Sequence, residues 1–184
     1  MTNPSSQILT IRSIPASETY TLRHAVLWPH KPLSYVQLPD DADGQHFGAF
    51  ISATAADTTG SGGKHGGGEK TIGEARANDK DRDESSSSEP VSIISLFIAE
   101  GGDGEKQARF RKFATAASSQ GKGIGSALLA HTIEAAARAG AKTIWCDARQ
   151  SALPFYRRFG MDAAGEVFFK GDVPYLRMSK RLSD

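Results

Sequence analysis

Residues 120–126, Gln120, Gly121, Lys122, Gly123, Ile124, Gly125 and Ser126, set three glycines at alternate positions just ahead of the longest helix-like run. Glycine removes the side chain that holds a ligand off the backbone, and it tolerates φ > 0. A helix start adds unpaired N–H groups and the positive end of a dipole. The combination suits a phosphate or pyrophosphate, and Lys122 brings a mobile cation. In isolation the same loop is equally a glycine turn that caps a helix, because a lone glycine motif is a weak signal. Tyr156, with an ordinary pKa near 10, can give a proton to a departing anion. Between Phe155 and Phe159 it also reads as a packed core aromatic. Glu100, closing one strand-like run, and His46, opening another, are candidate bases, although polar strand ends also serve solubility; water is the default relay. Cys146 has no histidine beside it and follows Trp145 in a buried-looking strand, which reads as packing. No metal-ligand spacing of Cys, His or carboxylates is present.

These residues sit in a chain of 184 residues, long enough for one domain with a real core. A net charge of +1 supplies no global field for nucleic acid, and no RNA-binding signature occurs. One cysteine cannot form an internal disulfide, which suits a reducing compartment. Residues 1–6 lack the charged-then-apolar order of a secretory signal, and no apolar run reaches the roughly 20 residues of a bilayer span. The expectation is a soluble cytoplasmic or nuclear protein with neither a membrane nor a nucleic-acid partner.

Seven runs read as strands. The first covers 8–14 and stops at Pro15; a helix with Leu22, Val26 and Leu27 as its apolar stripe then fills 15–28 and ends at Pro29. The acidic turn Asp40, Asp41, Asp43 and Gly44 leads into a second strand at 46–51, whose Gly48 marks a bend or close approach. Residues 52–90 hold one large apolar residue, Ile72, and read as a disordered low-complexity insertion at a hairpin tip. The third strand spans 91–98. In the fourth, 107–116, Gln107, Arg109 and Arg111 share one face, and Ala108 and Phe110 the other. Strict alternation would bury Lys112 and expose Phe113; one extra residue near Lys112 restores the pattern, which is the trace of a β-bulge, although periodicity alone equally allows an irregular strand end. The main helix, 124–139, turns Ile124, Leu128, Leu129, Ile133 and Ala136 inward and His131, Glu134 and Arg138 outward. A fifth strand at 143–146, a short helix at 151–159 and strands near 165–170 and 175–180 complete an α/β order with helices on the sheet.

This arrangement resembles the GNAT family of N-acetyltransferases, in particular a subgroup of small members, here with a low-complexity insertion. Gln120, Gly123 and Gly125 match the Gln/Arg-x-x-Gly-x-Gly/Ala signature that opens the main helix. Ala152, Phe155, Tyr156, Gly160 and Met161 match a second region, and 107–115 match the bulged strand. The runs 22–27, 46–50 and 145–149 look like the subgroup, and the resemblance covers nearly all the chain outside 52–90. It implies a mixed, mostly antiparallel sheet splayed between strands four and five, with helices on both faces. It implies acetyl-CoA in that gap, its pantetheine arm pairing with backbone at Phe113 and Thr115, with Ala114 between them in the cofactor set. The pyrophosphate would rest on the loop 120–126, with Gln120, Ile124, Ala152 and Phe155 completing the cofactor set. N–H groups near 113–115 would polarise the thioester carbonyl, and Tyr156 would protonate the thiolate. Arg149 stands where the family often has Asn, which makes it a candidate for an acceptor carboxylate. Arg23, Arg149 and the arginines of the fourth strand together suit a carboxylate-bearing amine such as an amino acid, and equally read as surface charges or cofactor contacts. Asp147 stands where the subgroup would have Asn.

The resulting expectation is direct acetyl transfer to a primary amine of a small molecule or peptide, in a ternary complex, with a homodimer left open. The alternative is a catalytically silent acetyl-CoA-binding regulatory module on the same fold. A dinucleotide-binding Rossmann unit is the structural rival, since Asp147 follows the glycines at about the ribose-recognition distance of ~20 residues. Against it, Ser126 replaces the third glycine and no second βαβ set follows.

Overall fold

The computed structural model describes residues 7–53, 89–102 and 104–182. The β-branched run near the start forms β1 (Gln7–Ile14), which pairs antiparallel with β2 (Gln45–Ala53), and β2 with β3 (Ser92–Glu100). β3 continues antiparallel to β4 (Lys106–Thr115). Next come α2 (Ile124–Arg138), β5 (Thr143–Arg149), α3 (Leu153–Arg157), β6 (Asp162–Lys170) and β7 (Val173–Arg181), with α1 (Ser17–Leu27) between β1 and β2. One seven-stranded sheet results, in the order β1-β2-β3-β4-β5-β7-β6. β4 and β5 form its parallel pair; the other neighbours are antiparallel. This is the expected mixed, mostly antiparallel sheet, and it removes the Rossmann rival, whose sheet is mostly parallel.

Alternation along the strands sorts side chains onto two faces. Phe47, Ile94, Leu96, Ala108, Phe110, Ile144 and Cys146 join α2 in the main core. Ile14, Phe50, Ile93 and Ala114 point the other way and meet Leu22, Val26 and Leu27 of α1. Leu128 and Leu129 of α2 are fully buried, each burial contributing about 1.5–3 kcal/mol. The predicted arc holds, with Thr132 added to it: its hydroxyl is buried and donates to the Leu128 carbonyl at 2.8 Å. His131 lies less outward than its place on the wheel predicts, with its ring 5.0 Å from that of Phe47. Glu134 and Arg138 form the expected surface pair at 3.6 Å, and Gly140 ends the helix at φ +82°.

The fault in the fourth strand is a bulge. Ile93 pairs with Ala114 and Ser95 with Arg111, so Ile94 alone opposes Lys112 and Phe113. Lys112 takes φ +55°, the one non-glycine residue with positive φ among those described. β4 bends there, and its pairing with β5 ends at Arg109↔Trp145. Beyond that rung the strands part, while β5 stays fully paired with β7 through Arg149.

Local differences are instructive. The short helix expected over 151–159 is a 3-10 turn, Gln150–Ala152, followed by α3, because Pro154 suits a first helical turn and cannot extend one backward. Gly48 proves a close approach: an added Cβ would meet Phe50, Ile14 and Pro90 at 3.0–3.1 Å. Nearly all of the insertion expected at 52–90 lies outside the described residues.

Candidate active site

Where β4 and β5 part, a cleft of about 1010 Å³ opens. Its first wall is main chain. From Phe110 onward the β5-facing edge of β4 has no strand beside it, so its peptide groups, apart from the Thr115 carbonyl, are left to pair with a ligand. The cleft runs to the glycine loop. Gly121 and Gly123 hold φ of +73° and +79°, and a Cβ on either would meet no atom within 4 Å. Gly125 differs, since a Cβ there would sit 3.1 Å from Thr115 Oγ1, which explains why loop and strand can pack so closely. The Gln120 amide donates to the Thr115 carbonyl at 3.0 Å and ties the loop to β4. The first bond of α2 runs from Ala127 N–H to Gly123 O. The amides of Ile124, Gly125 and Ser126 precede it and have no carbonyl within their own helix. Open left-handed glycines, unspent amides and a helix dipole make a cradle that fits a pyrophosphate.

Aromatic side chains close this side. Phe113, returned to the core by the bulge, lies 5.9 Å from Phe155, which lies 5.2 Å from Tyr156. Phe155, Tyr156 and Ala152 all line the cleft. Burial first, then Cys146 and Tyr175, pushes the Tyr156 phenol well above its usual range, so it stays protonated. Cys146 also reaches the wall, yet it is 3% exposed; burial and the neighbouring Asp147 charge hold it as a thiol. That removes the nucleophilic thiolate an acyl-cysteine would need.

The other wall is charged. Asp147 accepts from Arg109 and Lys170 at 3.1 Å each, with Arg177 3.6 Å away. Arg111 pairs with Asp40, and the Arg149 Nε donates to the Tyr175 hydroxyl at 3.3 Å. Lys112 sets its amine 4.0 Å above the Trp28 ring. Loss of water, then the charges of Arg111, Arg23, Lys170 and Arg109, push that amine down to about 8.

Three residues singled out from the sequence lie elsewhere. Arg23 is fully buried, bonded through both terminal nitrogens to Asp41 at 2.8 and 2.9 Å and also to Val36 O and Ser95 Oγ. His46 is 4% exposed and bridges Ser95 Oγ at 2.8 Å and Asp41 O at 2.9 Å. Both belong to a closed network that anchors α1 to β2 and β3, which corrects their assignments to substrate and base. Glu100 is exposed and does not line the cleft; it borders a hollow of about 240 Å³ that shares Arg109 and Arg111 with the cleft, so its assignment as base is corrected too. Lys122 and Ile124 do not line the cleft: Lys122 is exposed, and the Ile124 side chain is buried in the core. Sequence reasoning missed Trp28, Lys112, Lys170 and Tyr175 as wall residues. Lys112 carried a signal, as the residue the bulge expels; the hairpin pair carried none.

A sequence model of the acetyltransferase (GNAT) domain family matches residues 85–182. The chain belongs to the GNAT acetyltransferase family. It is therefore an acyltransferase whose donor class is an acyl-CoA. N-acetyltransferase YitI of Bacillus subtilis is 25% identical over 169 residues, 91% of this chain and 89% of that protein. Among solved structures the GNAT sheet recurs in Escherichia coli ElaA, with TM-score 0.61 and 16% identity over 95% of this chain and 100% of that one. It recurs in an acyl-CoA N-acyltransferase from Pseudomonas aeruginosa, with TM-score 0.57 and 15% identity over 95% and 99%.

Proposed function

We propose that this GNAT protein is an acetyl-CoA-dependent N-acetyltransferase that passes acetyl directly to a primary amine of a small molecule or peptide in a ternary complex. The observation that carries the reading is the gap between β4 and β5, which ends on an open glycine cradle and holds a protonated tyrosine in its wall. Bound there, acetyl-CoA supplies an activated acetyl thioester. The amides of Gly121, Gly123, Gly125 and Ser126 bind its pyrophosphate, and the free edge of β4 at Phe113 and Thr115 binds its pantetheine arm. Phe155 and Ala152 exclude water from the same stretch. The N–H groups of Phe113 and Thr115, on the edge of β4 away from β3, would meet developing carbonyl charge, the kind of preorganised donor that lowers an acyl-transfer barrier. Tyr156 holds a proton at its phenol oxygen for the leaving thiolate. Because Cys146 stays a buried thiol, one-step transfer within the ternary complex is favoured over an acyl-enzyme.

The test is thiol release from acetyl-CoA against free amino acids, polyamines and peptide N-termini, alongside thermal stabilisation by CoA. Amine-dependent release together with stabilisation is expected. Tyr156→Phe should lower kcat about a hundredfold or more, the usual scale of general acid catalysis, with little change in CoA affinity. Stabilisation without release for any amine would support the silent regulatory module instead, and no response to millimolar CoA would sink the reading.

A further inference from the structure

The cleft has two mouths, separated by the sheet. The glycine loop opens onto the α2 face, together with Phe113, Phe155 and Tyr156. The opposite face carries the charges. On β5, Ile144, Cys146 and Ala148 pack in the α2-side core, so Trp145, Asp147 and Arg149 alternate onto the α1 side. On β4, Arg109 and Arg111 oppose the core residues Ala108 and Phe110, and Lys112 lies against Trp28 at the end of α1.

Arg109, Arg111, Lys112, Arg149, Arg158 and Lys170 line the cleft, against the single carboxylate Asp147. Asp147 is already shared by Arg109 and Lys170, and Asp40 takes Arg111. Arg158 stacks on Phe155, on the cofactor side. That leaves Lys112 and Arg149, whose described contacts are a tryptophan ring and a tyrosine hydroxyl. Both line the cleft beyond the last rung, Arg109↔Trp145, Lys112 three residues on along β4 and Arg149 four along β5.

We propose that the acceptor amine carries a carboxylate, held between Lys112 and Arg149 at the α1-side mouth while its amino group reaches through the gap. This rests on the N-acetyltransferase reading above. An ammonium ion and a lysine repel, so an acceptor of positive charge alone would enter a field that opposes it. A carboxylate relieves that field: a guanidinium forms a charge-assisted fork to it and the ammonium a point contact. Burial first, and then the surrounding cations, already weaken protonation of Lys112, and it is this excess of positive charge that the ligand would neutralise. The pyrophosphate cradle lies on the other face of the sheet, so these two cations are not needed there.

The experiment compares L-glutamate, β-alanine and an Asp-initiated tripeptide amide with their ester or amide counterparts, and with spermidine, in acetyl-CoA turnover. The acidic member of at least one pair should show kcat/KM at least tenfold above its neutral counterpart, and spermidine should be poor. Whether the free amino acids or the peptide respond identifies the source of the carboxylate. Arg149→Gln and Lys112→Met should each lower kcat/KM at least tenfold more for the acid than for its neutral counterpart. Arg149 is exposed, so its variant tests the idea even if the bulge variant folds poorly. Equal use of both members overturns the proposal, as does loss of CoA affinity in the variants with no acid selectivity. If no amine is turned over, thermal shift of the CoA-loaded protein decides: stabilisation by the acidic probes alone supports the site, and none refutes it while the cofactor reading stands. Failure to bind CoA at all overturns both.

Discussion

The two mouths of the cleft solve recognition in opposite ways. The α2 side is built from main chain and glycine, with left-handed φ at Gly121 and Gly123 and free amides at the helix start. Such a surface reads the constant features of a ligand, its phosphates and amides, and depends little on side-chain identity. The α1 side is built from charged side chains, with Arg109, Arg111, Lys112, Arg149 and Lys170 around two carboxylates. Under the proposal above, that surface reads what varies, the acceptor. A third charged group, Arg23 with Asp41, Ser95 and His46, belongs to neither mouth. Its charges are paired and dry, whereas those at the α1 mouth exceed their partners. Arginine count therefore separates nothing; the balance of partners does.

The largest expected effect tests that third group. Asp41→Ala leaves Arg23 buried without its carboxylate, and breaking a buried pair costs about 3–5 kcal/mol. Urea unfolding should show a loss of that size at pH 7, with turnover per folded molecule near wild type. Burial would raise the Asp41 carboxyl, but bonds from Arg23 and the Leu38 amide outweigh it, and the net shift is downward. Its stabilisation is thus complete above the unfolded carboxyl value, near 4, and fades as pH falls through the lowered folded value. The gap between wild type and variant should close only in acid. A gap that stayed constant to pH 2 would mean that Asp41 acts through packing.

An intermediate effect probes the main-chain mouth. Gly123→Ala meets no atom within 4 Å, yet it must hold φ +79°, a strain of about 1–2 kcal/mol for an L-residue, and its methyl enters the cradle. CoA affinity measured by calorimetry should fall about tenfold or more, the equivalent of ~1.4 kcal/mol or above, with acid selectivity of the acceptor unchanged. Unaltered CoA affinity would move the pyrophosphate elsewhere.

The smallest effect concerns the charged mouth. The Lys112 amine is pushed down to about 8 in the fold against 10.5 in its absence. Below pH 8 both states are protonated and the native one carries the unfavourable charge. Between about 8 and 10.5 the unfolded chain binds the extra proton, so native stability rises with pH. Lys112→Met lacks this dependence. Its stability relative to wild type should therefore be highest at pH 7 and decline towards pH 10, by a modest amount because the amine is half-exposed. A flat difference across that window would show that the Trp28 contact, not loss of water, sets the amine.

Much of the frame was legible because periodicity reports burial. The alternation in 107–111, its slip at Lys112 and the apolar arc of α2 foretold the bulge, the helix and the two-faced sheet. The glycine loop was legible because glycine alone takes left-handed φ at little cost, a property local to each residue. His46, Arg23 and Glu100 were misassigned because a polar residue carries no sign of its partner. Asp41, Ser95 and Val36, which claim Arg23, lie 18, 72 and 13 residues away from it.

Element order, the bulge and the glycine loop were marked in the sequence, since each depends on local backbone preference or a short motif, whereas the protonated state of Tyr156 comes from burial beside Cys146 and Tyr175. The splay of β4 from β5, the separation of two mouths by the sheet and the pairing of every charge were decided only by the tertiary structure. Lys112 and Arg149 come from strands joined through a helix, and Lys170 and Tyr175 from a terminal hairpin. Nothing short-range couples such residues; they meet because closing the sheet brings their strands together.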